Sequence, residues 1–342
     1  MAVRPHLSSG VKRRKDPPNV SLDPIKKNTF LVLGRAGMDL YADPPGTRTQ
    51  EATRFTSALG GSSANIAAGL TRLGSKAALL GTVSDDAVGR FVLAELAKYK
   101  IDATNVRAVG GEARNSLAVV ETRAENCQSV IYRNGAADFQ LTAEMVAGVD
   151  FSAYGALILT GTSLAMEPSR AATLAAIEAA RAAGLVVILD VDYRPYSWIS
   201  HEDAAATCLA AAERCHIVVG NDDEFGLLAG GNDKGQALAK RLGERPAAIA
   251  VYKMGERGSV TFAGVETVEL GVFRVKALKP TGAGDAFLAG FAASLAAGRP
   301  LADCLKRGSA AAAIVVTRVG CAPAMPNANE ITHFMARHPG PS

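Results

Sequence analysis

From residue 30 onward the chain alternates short, wholly apolar runs with longer alanine-rich stretches whose apolar positions recur at helical spacing. The apolar runs predict buried strands at 30–35, 77–83, 156–160, 186–190, 217–219 and 248–252, and the periodic stretches predict helices at 64–73, 87–99, 168–183, 202–213, 222–229 and 234–242. A polar-flanked pair of runs at 260–262 and 265–270 reads as a hairpin. The last quarter changes character, with helices at 284–297, 300–317 and 327–337 in direct succession. This order predicts an α/β fold: a doubly wound, mostly parallel sheet flanked by helices, with ligands at the carboxyl ends of the strands.

Two stretches break the alternation. Residues 40–58 and 105–135 carry polar and β-branched alternation, as in Ser116-Leu117-Ala118-Val119-Val120 and Ser129-Val130-Ile131-Tyr132. They predict a small β-sheet projecting from the edge of the main one. A lid over an active site is the functional reading; an edge-protecting flap or a homodimer surface is the structural one, and the two are compatible.

At 342 residues and 48% hydrophobic composition the chain buries a large core. Its longest apolar runs fall far short of the ~20 residues that cross a bilayer, so no membrane partner is expected. The five cysteines (Cys127, Cys208, Cys215, Cys304, Cys321) are odd in number and form no CxxC pair. That pattern suits reduced thiols in a cytoplasmic protein and implies neither a disulfide framework nor a zinc site. The net charge of +4 comes from residues 1–28, where Lys12-Arg13-Arg14-Lys15 and three further basic residues stand among Pro, Ser and Asn. Without aromatic interleaving this reads as a disordered basic tail rather than a nucleic-acid site, leaving one domain over 29–338.

The candidate chemistry centres on Gly282-Ala283-Gly284-Asp285 at the start of the 284–297 helix. Small residues there let consecutive backbone N–H groups converge at the positive end of the helix dipole, which favours an anion. A carboxylate at such a spot needs a task, and the evident one is to take a proton from a hydroxyl attacking a phosphoryl group. Taken alone, the motif serves equally as a capped helix start.

Other strand ends add weaker motifs, each with a structural alternative. Asp39 follows the first strand in a segment whose glycine spacing fails GxGxxG, which disfavours a dinucleotide enzyme; it suits sugar hydroxyls or a turn. Gly60-Gly61 with Asn65 opens a helix that a ligand can approach closely, or simply packs tightly. Asp190-Val191-Asp192-Tyr193-Arg194 offers a guanidinium to a carboxylate or phosphate, or an internal ion pair. Asn221 and Glu224, at i and i+3, suit the waters of a Mg²⁺ ion, or an acidic first turn. Lys253-Met254-Gly255-Glu256-Arg257-Gly258 lines a nucleotide or makes a plain turn.

In this order the motifs resemble those of the PfkB family of ribokinase-like carbohydrate kinases over roughly residues 30–335. The resemblance rests on Gly60-Gly61 with Asn65, Asn221-x-x-Glu224, Lys253-x-Gly255-x-x-Gly258, Gly282-Ala283-Gly284-Asp285 and Arg318-x-Gly320-Cys321. It implies ATP and Mg²⁺, with Asp285 as the base and the amides of Gly282, Ala283 and Gly284 around the transferring group. It also implies Asn221 and Glu224 at Mg²⁺, Lys253, Gly255 and Gly258 at ATP, and Asp39, Gly60, Gly61 and Asn65 at the sugar. Related 2-keto-3-deoxygluconate kinases use two arginines for an acid substrate; Arg194 matches one and Arg133 the other, which implies a sugar acid phosphorylated on its primary hydroxyl. The alternatives are another sugar kinase of the family and a non-catalytic sugar-binding regulator. One departure stands out: six residues before the base, many members carry an aspartate that helps to bind a monovalent cation, and this chain has Lys279. Its ammonium is expected to replace that cation and remove the requirement for one; the alternative is that it points to solvent.

Overall fold

The computed structural model describes residues 21–123 and 125–341. In chain order its elements are β1 (Thr29–Leu33), β2 (Gly37–Asp43), β3 (Arg54–Gly60), α1 (Ser62–Arg72), β4 (Lys76–Ser84), α2 (Ala87–Lys98), β5 (Val106–Val109), β6 (Leu117–Val120), β7 (Ser129–Tyr132), α3 (Ala143–Ala147) and β8 (Ala156–Thr160). They continue with α4 (Ser169–Ala182), β9 (Val186–Asp190), α5 (His201–Ala212), β10 (Ile217–Asn221), α6 (Asp222–Ala229), α7 (Gly235–Gly243), β11 (Ile249–Lys253), β12 (Ser259–Ala263), β13 (Glu266–Leu270), α8 (Ala283–Ala296), α9 (Leu301–Val316) and α10 (Ala328–Arg337).

The main sheet has nine strands in the order β13-β12-β11-β10-β9-β8-β1-β4-β5, parallel from β11 to β5 and closed at one edge by the antiparallel β12–β13 hairpin. Its strands read as unbroken apolar runs because both faces are covered. Along β1, Leu31 and Leu33 join the core on one side, and Phe30 and Val32 join the core on the other. Chain order reverses between β1 and β8, so the crevice beyond their carboxyl ends is where a ligand is expected.

Beside that crevice stands a four-stranded sheet, β3-β2-β6-β7. It corrects the expected boundaries of the projecting segments. The first runs from Gly37 to Gly60 rather than 40–58, and the second does not begin at 105, because β5 pairs in parallel with β4 as the edge of the main sheet. A four-residue edge strand has the same composition in either sheet; only its non-local partner distinguishes them. The charge pattern also extended the tail too far. Residues 23–27 form a 3₁₀ turn with Ile25 buried in the core and Lys27 Nζ donating to the Ser152 carbonyl at 2.6 Å. One apolar residue among lysines is too weak a signal to mark that contact. Residues 1–20 of the expected tail lie outside the described residues. Among the described residues no helix is long and apolar enough to cross a membrane.

Candidate active site

Two helix N-termini meet in the crevice, and small residues one turn further along bring them together. A Cβ on Gly69 of α1 would lie 2.6 Å from Cβ of Ala289 in α8, so the two helices approach almost backbone to backbone. Asn65 and Asp285 each sit four residues before that contact, on the same faces of their helices. Asn65 Nδ2 accordingly donates to Asp285 Oδ2 at 2.9 Å.

Asp285 is not a helix cap. The residue at the cap position of α8 is Gly282, at φ +83°, and no side chain caps the helix. Its first four N–H groups, at Gly282, Ala283, Gly284 and Asp285, have no partner within the helix and stay free for an anion. A Cβ on Gly282 would lie 2.9 Å from Cys321 Sγ, so both the conformation and the space demand glycine. Burial, followed by the charge of Asp192, pushes the Asp285 carboxyl up to about 7; Asn65, Arg194 and Lys253 hold it from rising further. A carboxylate near neutrality at an open anion turn is matched to general-base work. Lys253 ends β11, and its Nζ lies 3.6 Å from where a Cβ on Gly284 would stand, which sets an ammonium beside the turn.

Lys279 is wholly buried and donates to the Thr281 carbonyl, which excludes the solvent-facing alternative. Burial lowers its pKa, opposed by Cys321 and Asp285.

Under the smaller sheet, Asp39 is buried and accepts from Tyr41 Oη at 3.0 Å. The same phenol oxygen accepts from the Cys321 N–H at 3.1 Å, tying β2 to the loop behind Gly282. Burial raises the Asp39 pKa; Arg35, Tyr41 and Lys279 oppose the rise. Gly60 is required here because its Cβ would overlap the Asp39 carboxylate, and Gly61, at φ +95°, lies against the Arg35 carbonyl.

On the other side of the crevice the two predicted arginines are already paired. Arg194 Nη2 lies 2.7 Å from Asp192 Oδ1, and this acid raises its pKa. Arg133 is buried, donates through Nε to Asp138 at 2.9 Å and through Nη2 to the Thr162 carbonyl at 3.1 Å, and stacks over Phe139. Thr162 Oγ1 in turn donates to Asp192 at 3.2 Å, so one network joins Asp138, Arg133, Thr162, Asp192 and Arg194.

Asn221 and Glu224 form a capping box at the start of α6, and Glu224 Oε1 also accepts from the Tyr193 N–H at 3.1 Å. The acidic-first-turn alternative is thus realised, without excluding a further role. Glu224 is buried facing Asp190, whose carboxyl is pushed up to about 8, foremost by burial, with Glu224, Asp192 and Asp285 adding to the rise against Lys253. Such a concentration of acids fits a hydrated Mg²⁺ ion. Gly255 and Gly258 lie in the turn after β11, and Gly258 packs against the Leu270 carbonyl.

The pattern reading assigned no role to Arg35 or Tyr41, and it gave Asp190 and Asp192 only that of an internal ion pair with Arg194, the alternative that the Asp192–Arg194 contact realises. The two aspartates were visible as acids at a strand end. Arg35 and Tyr41 carried no signal beyond their nearness to Asp39, since their roles depend on burial.

The family model for the pfkB family carbohydrate kinases matches residues 27–328. A 5-dehydro-2-deoxygluconokinase of Photobacterium profundum is 39% identical over 310 residues, covering 89% of this chain and 94% of that protein. One of Geobacillus thermodenitrificans is 35% identical, covering 92% and 94%. Among solved structures, a putative ribokinase II from E. coli in complex with ATP and Mg²⁺ superposes with a TM-score of 0.80 at 21% identity, covering 91% of this chain and 99% of that one. A fructokinase from Vibrio cholerae with fructose, ADP and a potassium ion gives 0.79 at 24%, covering 94% and 99%. The family model and the sequence relationship agree: this chain belongs to the PfkB family of carbohydrate kinases.

Proposed function

We propose that this kinase transfers the γ-phosphoryl group of Mg·ATP to the primary hydroxyl of 5-dehydro-2-deoxy-D-gluconate, a step of myo-inositol catabolism in the cytoplasm. The observation that carries the reading is Asp285, near neutrality and held by Asn65 beside the uncapped N–H groups. The names of the relatives supply the substrate. The hydroxyl oxygen attacks phosphorus as its proton passes to Asp285 Oδ, and the bond from phosphorus to the departing ADP oxygen breaks. The N–H groups of Gly282, Ala283 and Gly284 take the charge on the transferring group. Lys253, Gly255 and Gly258 border the nucleotide. Asn221 and Glu224 hold Mg²⁺ through water, and that ion neutralises phosphate charge when bound.

The sugar lies beneath the small sheet, with Asp39, Gly60, Gly61 and Asn65 at its hydroxyls. Arg133 and Arg194 add positive potential for a carboxylate. Lys279, buried with its ammonium at the Thr281 carbonyl, replaces a monovalent cation, so none is required. The small sheet serves as lid and as homodimer surface. Its outer face sets Met38, Leu40, Phe55, Leu117, Val119, Val130 and Tyr132 side by side, and Phe55, Val130 and Tyr132 are exposed.

A panel of sugar acids and neutral sugars with Mg·ATP, followed by ADP release, tests the assignment. The acid is expected to be preferred. Asp285→Asn is expected to lose roughly 10²–10⁴-fold in kcat while retaining ATP binding; near-normal turnover by that variant would overturn the assignment of the base.

A further inference from the structure

Arg35 is a buried arginine with no acid in ion-pair distance among the described residues. It is 9% exposed, and its only side-chain hydrogen bond among the described residues is Nη1 to Ser116 Oγ at 3.1 Å. No carboxylate of the described residues lies within ion-pair distance of it, whereas Arg133 and Arg194 are matched to Asp138 and Asp192. A buried, unmatched guanidinium is costly to keep unless something anionic arrives to meet it.

Its location shows what could arrive. Side chains of β2 alternate between faces, so Gly37, Asp39 and Tyr41 look inward together. The Arg35 guanidinium lies against Gly37: a Cβ there would come within 2.6 Å of the Ser116 carbonyl, 2.8 Å of Ser116 Oγ and 3.3 Å of Arg35 Nη1. Glycine at 37 therefore lets Ser116 and the guanidinium close in against β2, on the face that carries the Asp39 carboxylate over Gly60. Charge placement separates the two ends of the crevice. Arg194 and Lys253 bear on Asp285, while Arg35 bears on Asp39. An open-chain acid phosphorylated on its terminal hydroxyl carries its carboxylate at the end farthest from the base.

We propose that Arg35, beneath the small sheet on the Asp39 side of the crevice, is the residue that binds the substrate carboxylate and sets the preference for a sugar acid. This rests on the sugar-acid reading above. Arg133 and Arg194 are held in close ion pairs with acids, whereas Arg35 has no acid within ion-pair distance among the described residues and its fork is free to take a second carboxylate.

The test is calorimetric binding of 5-dehydro-2-deoxy-D-gluconate and its neutral primary amide, with a non-hydrolysable ATP analogue present. Wild type is expected to bind the acid about 10²-fold or more tightly than the amide. Arg35→Gln is expected to bring the two within a few-fold of each other, with affinity for the ATP analogue unchanged as the control for folding. Arg35→Lys, which keeps charge and bulk but not the fork, is expected to lose part of the discrimination, and it decides the matter if the glutamine variant does not fold. A wild-type ratio retained in the variant that folds would overturn the assignment of Arg35 alone. A wild type that does not discriminate acid from amide would overturn the sugar-acid reading itself, before any substitution is made.

Discussion

Asn65→Ala tests the cooperation of the two helix N-termini most directly. The substitution removes the 2.9 Å hydrogen bond from Asn65 Nδ2 to Asp285, one of the influences that hold this carboxyl down at about 7. A hydrogen bond to a charged group contributes about 1.5–3 kcal/mol. At about 1.36 kcal/mol per pK unit, its loss moves the Asp285 pKa upward by about 1–2 units. Because Asp285 acts as its carboxylate, the acid limb of the kcat/KM profile moves to higher pH. At pH 7.5 the ionised fraction falls from about three quarters to between about a quarter and a few per cent, so kcat/KM drops by about 3- to 25-fold and recovers toward pH 10. The Gly69–Ala289 contact, not Asn65, sets the helix spacing, so the truncation leaves the base in place. The assay is kcat/KM for the sugar from pH 5.5 to 10 with Mg·ATP saturating. Loss of the sugar contact of Asn65 adds a pH-independent decrease to this shift; a limb that stays where wild type has it would refute the reasoning.

Three further outcomes follow from the same geometry. Tyr41→Phe leaves the buried Cys321 N–H without its acceptor and Asp39 without a donor, which is expected to cost about 1–3 kcal/mol of stability and to raise KM for the sugar; an unchanged denaturation midpoint and KM would show that the phenol bridges nothing of consequence. Turnover is expected to be the same in potassium salts and in salts of a bulky organic cation, since the Lys279 ammonium occupies the position by the Thr281 carbonyl; strong stimulation by K⁺ would contradict that role. Light scattering is expected to report a dimer for wild type and a monomer for Val130→Glu combined with Tyr132→Glu, because these residues are exposed on the outer face of the small sheet; a monomeric wild type would leave that sheet as a lid alone.

Much of this protein was legible in its sequence. Strands 156–160 and 186–190 and helix 222–229 were predicted at the residues where they occur, because a strand buried on both faces is an unbroken apolar run and a helix against a sheet keeps its 3.6-residue period. The start of the 283–296 helix was equally plain, since Gly282 marks a turn at positive φ with no room for a side chain. Non-local choices were not visible. Whether β5 paired with β4 or with the small sheet, and whether Ile25 joined the core, depended on partners far along the chain.

The site divides in the same way. Sequence alone supplied the order of strand-end motifs, and with it the kinase chemistry, because each motif is a local backbone or charge requirement. Only the tertiary structure decided which charges are free. It engaged Arg133 and Arg194 with acids, buried Lys279 beneath the turn, gathered Asp190, Asp192, Glu224 and Asp285 into one repelling group, and left Arg35 beneath the small sheet with no acid in ion-pair distance among the described residues. Partner, burial and pKa arise between residues that folding brings together, and no local pattern in the chain encodes them.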